Sequence, residues 1–171
     1  AITGDPNDEG TPVDWWFYED LRRPLTRLDT AVGFSRDEIT MTGITYDTMR
    51  QGSYLLPERL ADMDVNGLEA SLCFPTFPRF CGQTFTEASD HDLGLACVKA
   101  CNDWMIDEWC GERGGVIIPL CIVPLWDADL AAAEVRRHAD RGCHADGFRE
   151  FPPPPALPSL HPGYGGPVFH A

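Results

Sequence analysis

The pattern of apolar and polar positions changes character near residue 57. Ahead of it, "VDWWFYEDLRRP" (13–24) is an aromatic cluster, and "FSRDEITMTGITYDTMRQGSY" (34–54) keeps no period of 2.0 or 3.6. These stretches predict a large decorated loop with short helical pieces, its aromatics covering a neighbouring surface. Residues 1–12 are polar and read as a loose lead-in. From Pro57 the pattern sharpens. "PERLADMDVNG" predicts a short helix with proline in its first turn, Leu60 and Met63 on one side, and Gly67 as the stop. Residues 68–74 follow as a strand. The longest helix is expected over 89–110, with Ser89 and Asp92 as a capping box and Leu93, Cys97, Ala100, Trp104 and Met105 on one face. "VIIPLCIVPLWD" (116–127) reads as a strand buried on both faces, with Pro119 and Pro124 near its ends or at irregular pairings. Asp127 then caps an alanine-rich helix that Gly142 stops, "HADGFRE" (144–150) is a weaker strand, and residues 152–167 form a loop.

From residue 57 onward, helix and strand therefore alternate, which predicts an α/β fold of βα units around a parallel sheet. The chain divides on this reading into an irregular segment, 1–56, and a βα domain, 57–171. Parallel folds place their ligands beyond the carboxyl ends of the strands. Three such ends can be named: Phe74-Pro75 leading to Thr76, Arg79 and Phe80; Pro124-Leu125-Trp126; and Phe148-Arg149-Glu150. The loop after Phe74 is rigid and aromatic, suited to a pocket wall in which Arg79 holds a carboxylate. The competing reading makes Arg79 half of a structural salt bridge, and both stay open. Trp126 and Glu150 are wall candidates by position, as is His161, on a loop beyond the third strand end. His91 and His138 sit at helix ends, where solvent exposure and the helix dipole account for them. His144 falls at the start of a strand, the end associated with stability.

Charge narrows the partners. Thirteen basic residues stand against 27 acidic ones, a net of -14, which argues against a nucleic-acid backbone or an anionic membrane surface. Seven cysteines, an odd number set largely in apolar runs, predict buried reduced thiols and a cytoplasmic setting. Cys97 and Cys101 lie four apart on a helix, without the second pair a structural zinc site needs, and read as packing. No GxGxxG, P-loop, G-x-S-x-G, H-x-H or H-E-x-x-H occurs, so nucleotide and serine-hydrolase chemistry have no support.

The segments "RLADMDVNGLEASLCFPTFPRFCGQTF" (59–85), "NDWMIDEWC" (102–110) and "IPLCIVPLWDADLAAAEVRRHADRG" (118–142) resemble the amidohydrolase-related family of metal-dependent hydrolases and decarboxylases, the branch that includes aminocarboxymuconate semialdehyde decarboxylase. The resemblance implies a (β/α)8 TIM barrel carrying a divalent metal, zinc or manganese, at its carboxyl face, and a small aromatic or carboxylated substrate. The family's histidine-rich first-strand motif and its later histidines and aspartate have no counterpart in residues 1–171, so no metal ligand carries over and no metal is expected in this chain alone. Gly165-Gly166 stands where relatives have Trp-Asp. A whole barrel typically takes about 250 residues. The chain therefore reads as a fragment of about three βα units. Its open sheet edges call for cover from another chain, a second copy included. The alternative from a different class is a non-catalytic α/β domain that binds a partner through that open edge.

Overall fold

Aromatic residues favour a pleated, half-buried surface, and the first effect of this is a hairpin near the amino terminus. In the computed structural model, which describes residues 2–3, 12–111, 115–147 and 166–171, the chain divides into two units, 1–69 and 70–171. In the first, β1 (Ile2–Thr3) pairs antiparallel with β2 (Pro12–Val13), where the sequence predicts only a lead-in. Strands β3 (Trp15–Tyr18) and β4 (Leu21–Pro24) form the hairpin, with Trp15 opposite Pro24 and Tyr18 opposite Leu21. This corrects the expectation of loop over this stretch. The two-residue turn is Glu19-Asp20, with Glu19 at φ 47°, the left-handed conformation that tight hairpins require. Because these are not the usual Asn-Gly or Asp-Gly, the turn leaves little trace in the sequence.

The expected helical pieces are 3₁₀ turns at Arg36–Glu38, Tyr46–Thr48 and Gln51–Ser53. They close over a small core of Leu25, Ile44 and Met49, flanked by Tyr46 and Tyr54. Helix α1 (Leu56–Val65) carries Pro57 in its first turn, and Gly67 follows at φ 65°. Arg50 grips Asp62 of α1 through a two-point fork, Nε to Oδ2 at 2.7 Å and Nη2 to Oδ1 at 2.5 Å.

The second unit runs β5 (Ser71–Leu72), α2 (Gln83–Thr86), α3 (His91–Trp104), β6 (Ile117–Ile118), β7 (Cys121–Ile122), α4 (Ala128–Ala139), β8 (Asp146–Gly147) and α5 (Gly166–Phe169). Strands β5 and β6 are parallel, as are β7 and β8. The fold is thus mixed α/β with short parallel strands joined through helices, and no closed barrel forms among the described residues. Pro119 lies between β6 and β7, where its missing N–H does no harm to either ladder. The run is buried on both faces over Leu120–Val123, as expected, but not at β6. Ile117 is buried, but its neighbour Ile118 and the register partner Leu72 are each 39% exposed. Residues 166–167, expected in a loop, begin α5.

Helix α3 departs from its expected face and cap. The N-cap is Asp90, whose carboxylate accepts from the Leu93 N–H at 2.9 Å, in place of a Ser89 and Asp92 box. A π-helical turn, Met105–Cys110, continues the helix. Buried positions are Gly94, Val98, Asn102, Met105 and Trp109, while Leu93 and Trp104 are exposed. Polar Asn102 on the buried stripe is the reason. Its side-chain amide behaves as a missing strand beside β7: Oδ1 accepts from the Ile122 N–H at 2.9 Å and Nδ2 donates to the Ile122 carbonyl at 2.8 Å. Nδ2 also donates to Glu134 of α4 at 2.8 Å. Arg137 clasps the same carboxylate with Nε at 2.8 Å and Nη2 at 2.6 Å, and reaches Asp103 at 2.6 Å. Arg141 adds contacts to Asp103 and Asp107. Burial works to raise the Glu134 carboxyl, but the hydrogen bonds from Arg137 and Asn102 outweigh it and hold the group below the ordinary carboxylate range.

Helix α4 matches its expected bounds. Asp127 accepts from the N–H groups of Asp129 and Leu130, both at 2.9 Å, a cap worth about 1 kcal/mol. Gly142 follows its end at φ 87°.

Candidate functional site

Two loops leave the carboxyl ends of parallel strands. The first, after β5, is tightly turned: Arg79, Cys81 and Gly82 stand at φ 61°, 60° and 71°. Arg79 combines that φ with ψ −174°, a region that essentially only glycine occupies without strain. Packing holds it there. Cys81 is buried, and Thr84 of α2 donates its hydroxyl to the Phe77 carbonyl at 2.8 Å and its N–H to the Pro78 carbonyl at 3.2 Å. A Cβ on Gly82 would lie 3.3 Å from Ile122 Cδ1, so the loop backbone passes close against β7.

Three side chains of this loop, Phe74, Arg79 and Phe80, stay outside. Phe74 stacks on Phe80 with centroids 5.5 Å apart, both exposed. Arg79 Nη1 donates to Glu87 Oε2 at 2.8 Å, with both side chains nearly half exposed; Gln83 reaches the same carboxylate. Such a pair contributes about 0–1 kcal/mol and leaves the guanidinium accessible.

The second loop, after β7, carries Trp126. Its ring stacks on His91, the first residue of α3, at 4.9 Å and 18°. The structure therefore sets Trp126 against His91 and Arg79 against Glu87, as two separate pairs. Glu150 and His161 lie outside the described residues. His91 is exposed, as its place in a first helical turn suggests; that it meets a carboxyl-end tryptophan depends on packing that its own position does not reveal.

His138 is the clear correction. Expected to face solvent at the end of α4, it is fully buried. Its ligand atom lies within 4.8 Å of the sulfurs of Cys121 and Cys143, themselves buried. The cluster gathers from β7, the last turn of α4 and the segment before β8. The Cys143 N–H donates to the His138 carbonyl at 3.0 Å and the Cys121 N–H to the Ala145 carbonyl at 3.0 Å, so the backbone itself holds the three together. Asp146 Oδ1 is 2.7 Å from His138 Nε2 but off the direction of a hydrogen bond, and neither ring nitrogen has a hydrogen-bond partner. A hydrogen bond from Cys121 holds the Cys143 thiol down, to about 6, and the same contact raises Cys121. Elsewhere burial pushes the Cys101 and Cys110 thiols up to about 11.

A hydrolytic divalent metal needs nitrogen and oxygen donors with an open position at the carboxyl face. The described residues do not fit it. The carboxyl-end loops bring phenylalanine, tryptophan, one arginine and one imidazole, and the Cys121, His138 and Cys143 group is sulfur-rich, closed and set at the amino-terminal side of β8.

In the first unit, a cleft of about 570 Å³ is lined by Asp14, Arg27, Phe34, Ile44 and Asp47 among others, with the Arg27 guanidinium 5.1 Å over the Phe34 ring. No helix among the described residues is long and apolar enough to cross a membrane. The family model described as Amidohydrolase matches residues 17–171. No curated protein matches the chain.

Proposed function

The chain belongs to the amidohydrolase family, and on that premise we propose that its parallel strands are three βα units of a (β/α)8 barrel, in a metal-dependent hydrolase or carboxy-lyase acting on a small aromatic or carboxylated molecule. The observation that carries this is the rung formed by Leu72 and Ile118. Bulky branched side chains fill the interior of such barrels in layers, each layer drawn from alternate strands, so that every strand turns an apolar face inward. Leu72 and Ile118 are register partners, both half exposed, and Phe74 extends the same face two residues on. Ile117, pointing the other way, is buried. One face is packed and the opposite face is apolar and open, as barrel strands without their neighbours would be.

The loops beyond these strands then form one wall of the substrate pocket. Trp126 and His91 offer a flat face for an aromatic ring. Arg79, lightly held by Glu87, supplies the cation for a carboxylate. Glu150 and His161 are assigned to the same wall from their positions in the chain. Seven cysteines, all present as thiols, support a reducing compartment such as the cytoplasm.

The test is to assay the native gene product on small aromatic carboxylic acids, following carbon dioxide release, and on esters, lactones and amides, following acid release. Arg79→Ala should raise KM at least tenfold for carboxylated substrates and leave uncharged ones unaffected, the loss of roughly one charge-assisted contact. Trp126→Ala should weaken aromatic substrates of both kinds. Turnover of neither set, or a KM indifferent to both substitutions, would refute the proposal.

A further inference from the structure

From the cluster of Cys121, His138 and Cys143 we infer a structural zinc site at the amino-terminal side of the parallel strands, separate from any catalytic centre at their carboxyl ends. Three observations carry it. The donors are of the kind zinc takes, two thiols and an imidazole, and all three are buried. They come from β7, the end of α4 and the approach to β8, pinned to one another by backbone hydrogen bonds. The imidazole is poorly satisfied: it is fully buried, Nδ1 has no hydrogen-bond partner, and Nε2 meets only the Asp146 carboxylate, 2.7 Å away but off the hydrogen-bond direction, and leaving a buried polar group so is costly.

Packing accounts for two buried thiols, and Asp146 for one side of the ring, but neither accounts for the unpartnered Nδ1. A tetrahedral zinc site places its ligand atoms roughly 3.5–3.8 Å apart, from metal–sulfur and metal–nitrogen distances of about 2.3 and 2.0–2.1 Å. The cluster spans at most 4.8 Å. Side-chain adjustment of about an ångström closes it. Asp146, whose carboxylate already lies against His138, is the neighbouring oxygen donor, either as the fourth ligand or oriented on the ring nitrogen that does not bind metal. The thiols bind as thiolates, so each gives its proton to solvent as its sulfur–metal bond forms. The position also fits. The amino-terminal side of a βα barrel serves stability, and this site would tie three successive elements together.

The experiment uses the full chain, reduced with a phosphine and freed of metal by a chelator. Zinc is titrated against a chromophoric competitor, and cobalt is used as a spectroscopic probe. One equivalent of zinc should bind, and Tm should rise by roughly 5–10 °C at free zinc a hundredfold above Kd. Cobalt should show the sulfur charge-transfer band and the strong visible bands of a tetrahedral thiolate site. Cys143→Ser and His138→Gln should lose this binding, while Cys97→Ser/Cys101→Ser keeps it. Should the first two variants fail to fold, alkylation of the wild-type chain decides: zinc must protect Cys121 and Cys143 together and leave Cys97 unaffected. Absence of stoichiometric zinc binding, retention of the cobalt spectrum in a folded Cys143→Ser variant, no selective protection, or a Cys121–Cys143 disulfide in the native protein would each overturn the inference.

Discussion

Replacing Asn102 by alanine removes the amide that stands beside β7 as a surrogate strand. Ile122 is 2% exposed, so water cannot easily take over its N–H and carbonyl once Oδ1 and Nδ2 are gone. Two orphaned backbone groups at about 1–3 kcal/mol each give a loss of about 2–6 kcal/mol. Glu134 keeps its two-point contact with Arg137 and so remains compensated. Against the 5–15 kcal/mol that typically holds a domain together, the loss is large. Asn102→Asp is the sharper probe. It keeps the acceptor for the Ile122 N–H but loses both donations and sets a carboxylate against Glu134, so at neutral pH it should destabilise at least as much as alanine. The assay is native-state hydrogen exchange at the Ile122 amide, with urea unfolding as a second measure. Exchange should quicken at least thirtyfold in Asn102→Ala, the equivalent of about 2 kcal/mol. An Ile122 amide that stays as protected as in the parent chain, with an unchanged urea midpoint, would refute the reasoning.

Two further outcomes follow from packing and charge. The Glu134 carboxyl is held below its ordinary range, as is Asp103, whose largest cause is the hydrogen bond from Arg137. The unfolded chain therefore takes up these protons first. Stability is fully present above the ordinary carboxylate pKa and is lost as pH falls from about 4.5 through the lower folded values. Tm against pH should show this acid limb, and Glu134→Gln should flatten it while lowering Tm at pH 7. In the first unit, a Cβ on Gly43 would lie 2.7 Å from Val13 Cγ1, inside contact distance of a fully buried side chain. Gly43→Ala should cost about 1–3 kcal/mol in urea unfolding; an unchanged midpoint would mean that β2 shifts freely.

The elements that the sequence reveals well are those whose signals are local. Asp127 and Gly142 bracket α4 because a cap and a left-handed stop act within one turn, and the parallel order follows from the alternation of strand and helix. Two of the departures share a cause, a polar residue on a buried face. Asn102 is left off the expected face of α3 and His138 is expected at an exposed helix end, yet each finds company from elements distant in sequence: Ile122 and Glu134 for the first, Cys121 and Cys143 for the second. The hairpin at 15–24 was hidden differently, by a turn lacking its usual residues. Of the wall candidates, Arg79 and Trp126 could be placed on strand ends from sequence, whereas the partners Glu87 and His91 depend on how α2 and α3 pack.

Pro119 has a consequence for the order in which the second unit assembles. By separating β6 from β7 it leaves one apolar run with two short ladders, one reaching back to Ser71 and the other forward to Asp146. The backward closure spans nearly twice as much chain as the forward one. Loop-closure entropy penalises that doubling by only about 0.6 kcal/mol. Neither ladder is therefore an obligatory nucleus by chain length alone, and the run can be captured first from either side. On a ribosome the choice is made by time, because Ser71 has emerged long before Asp146, and β5 meets β6 while the partner of β7 is still unmade.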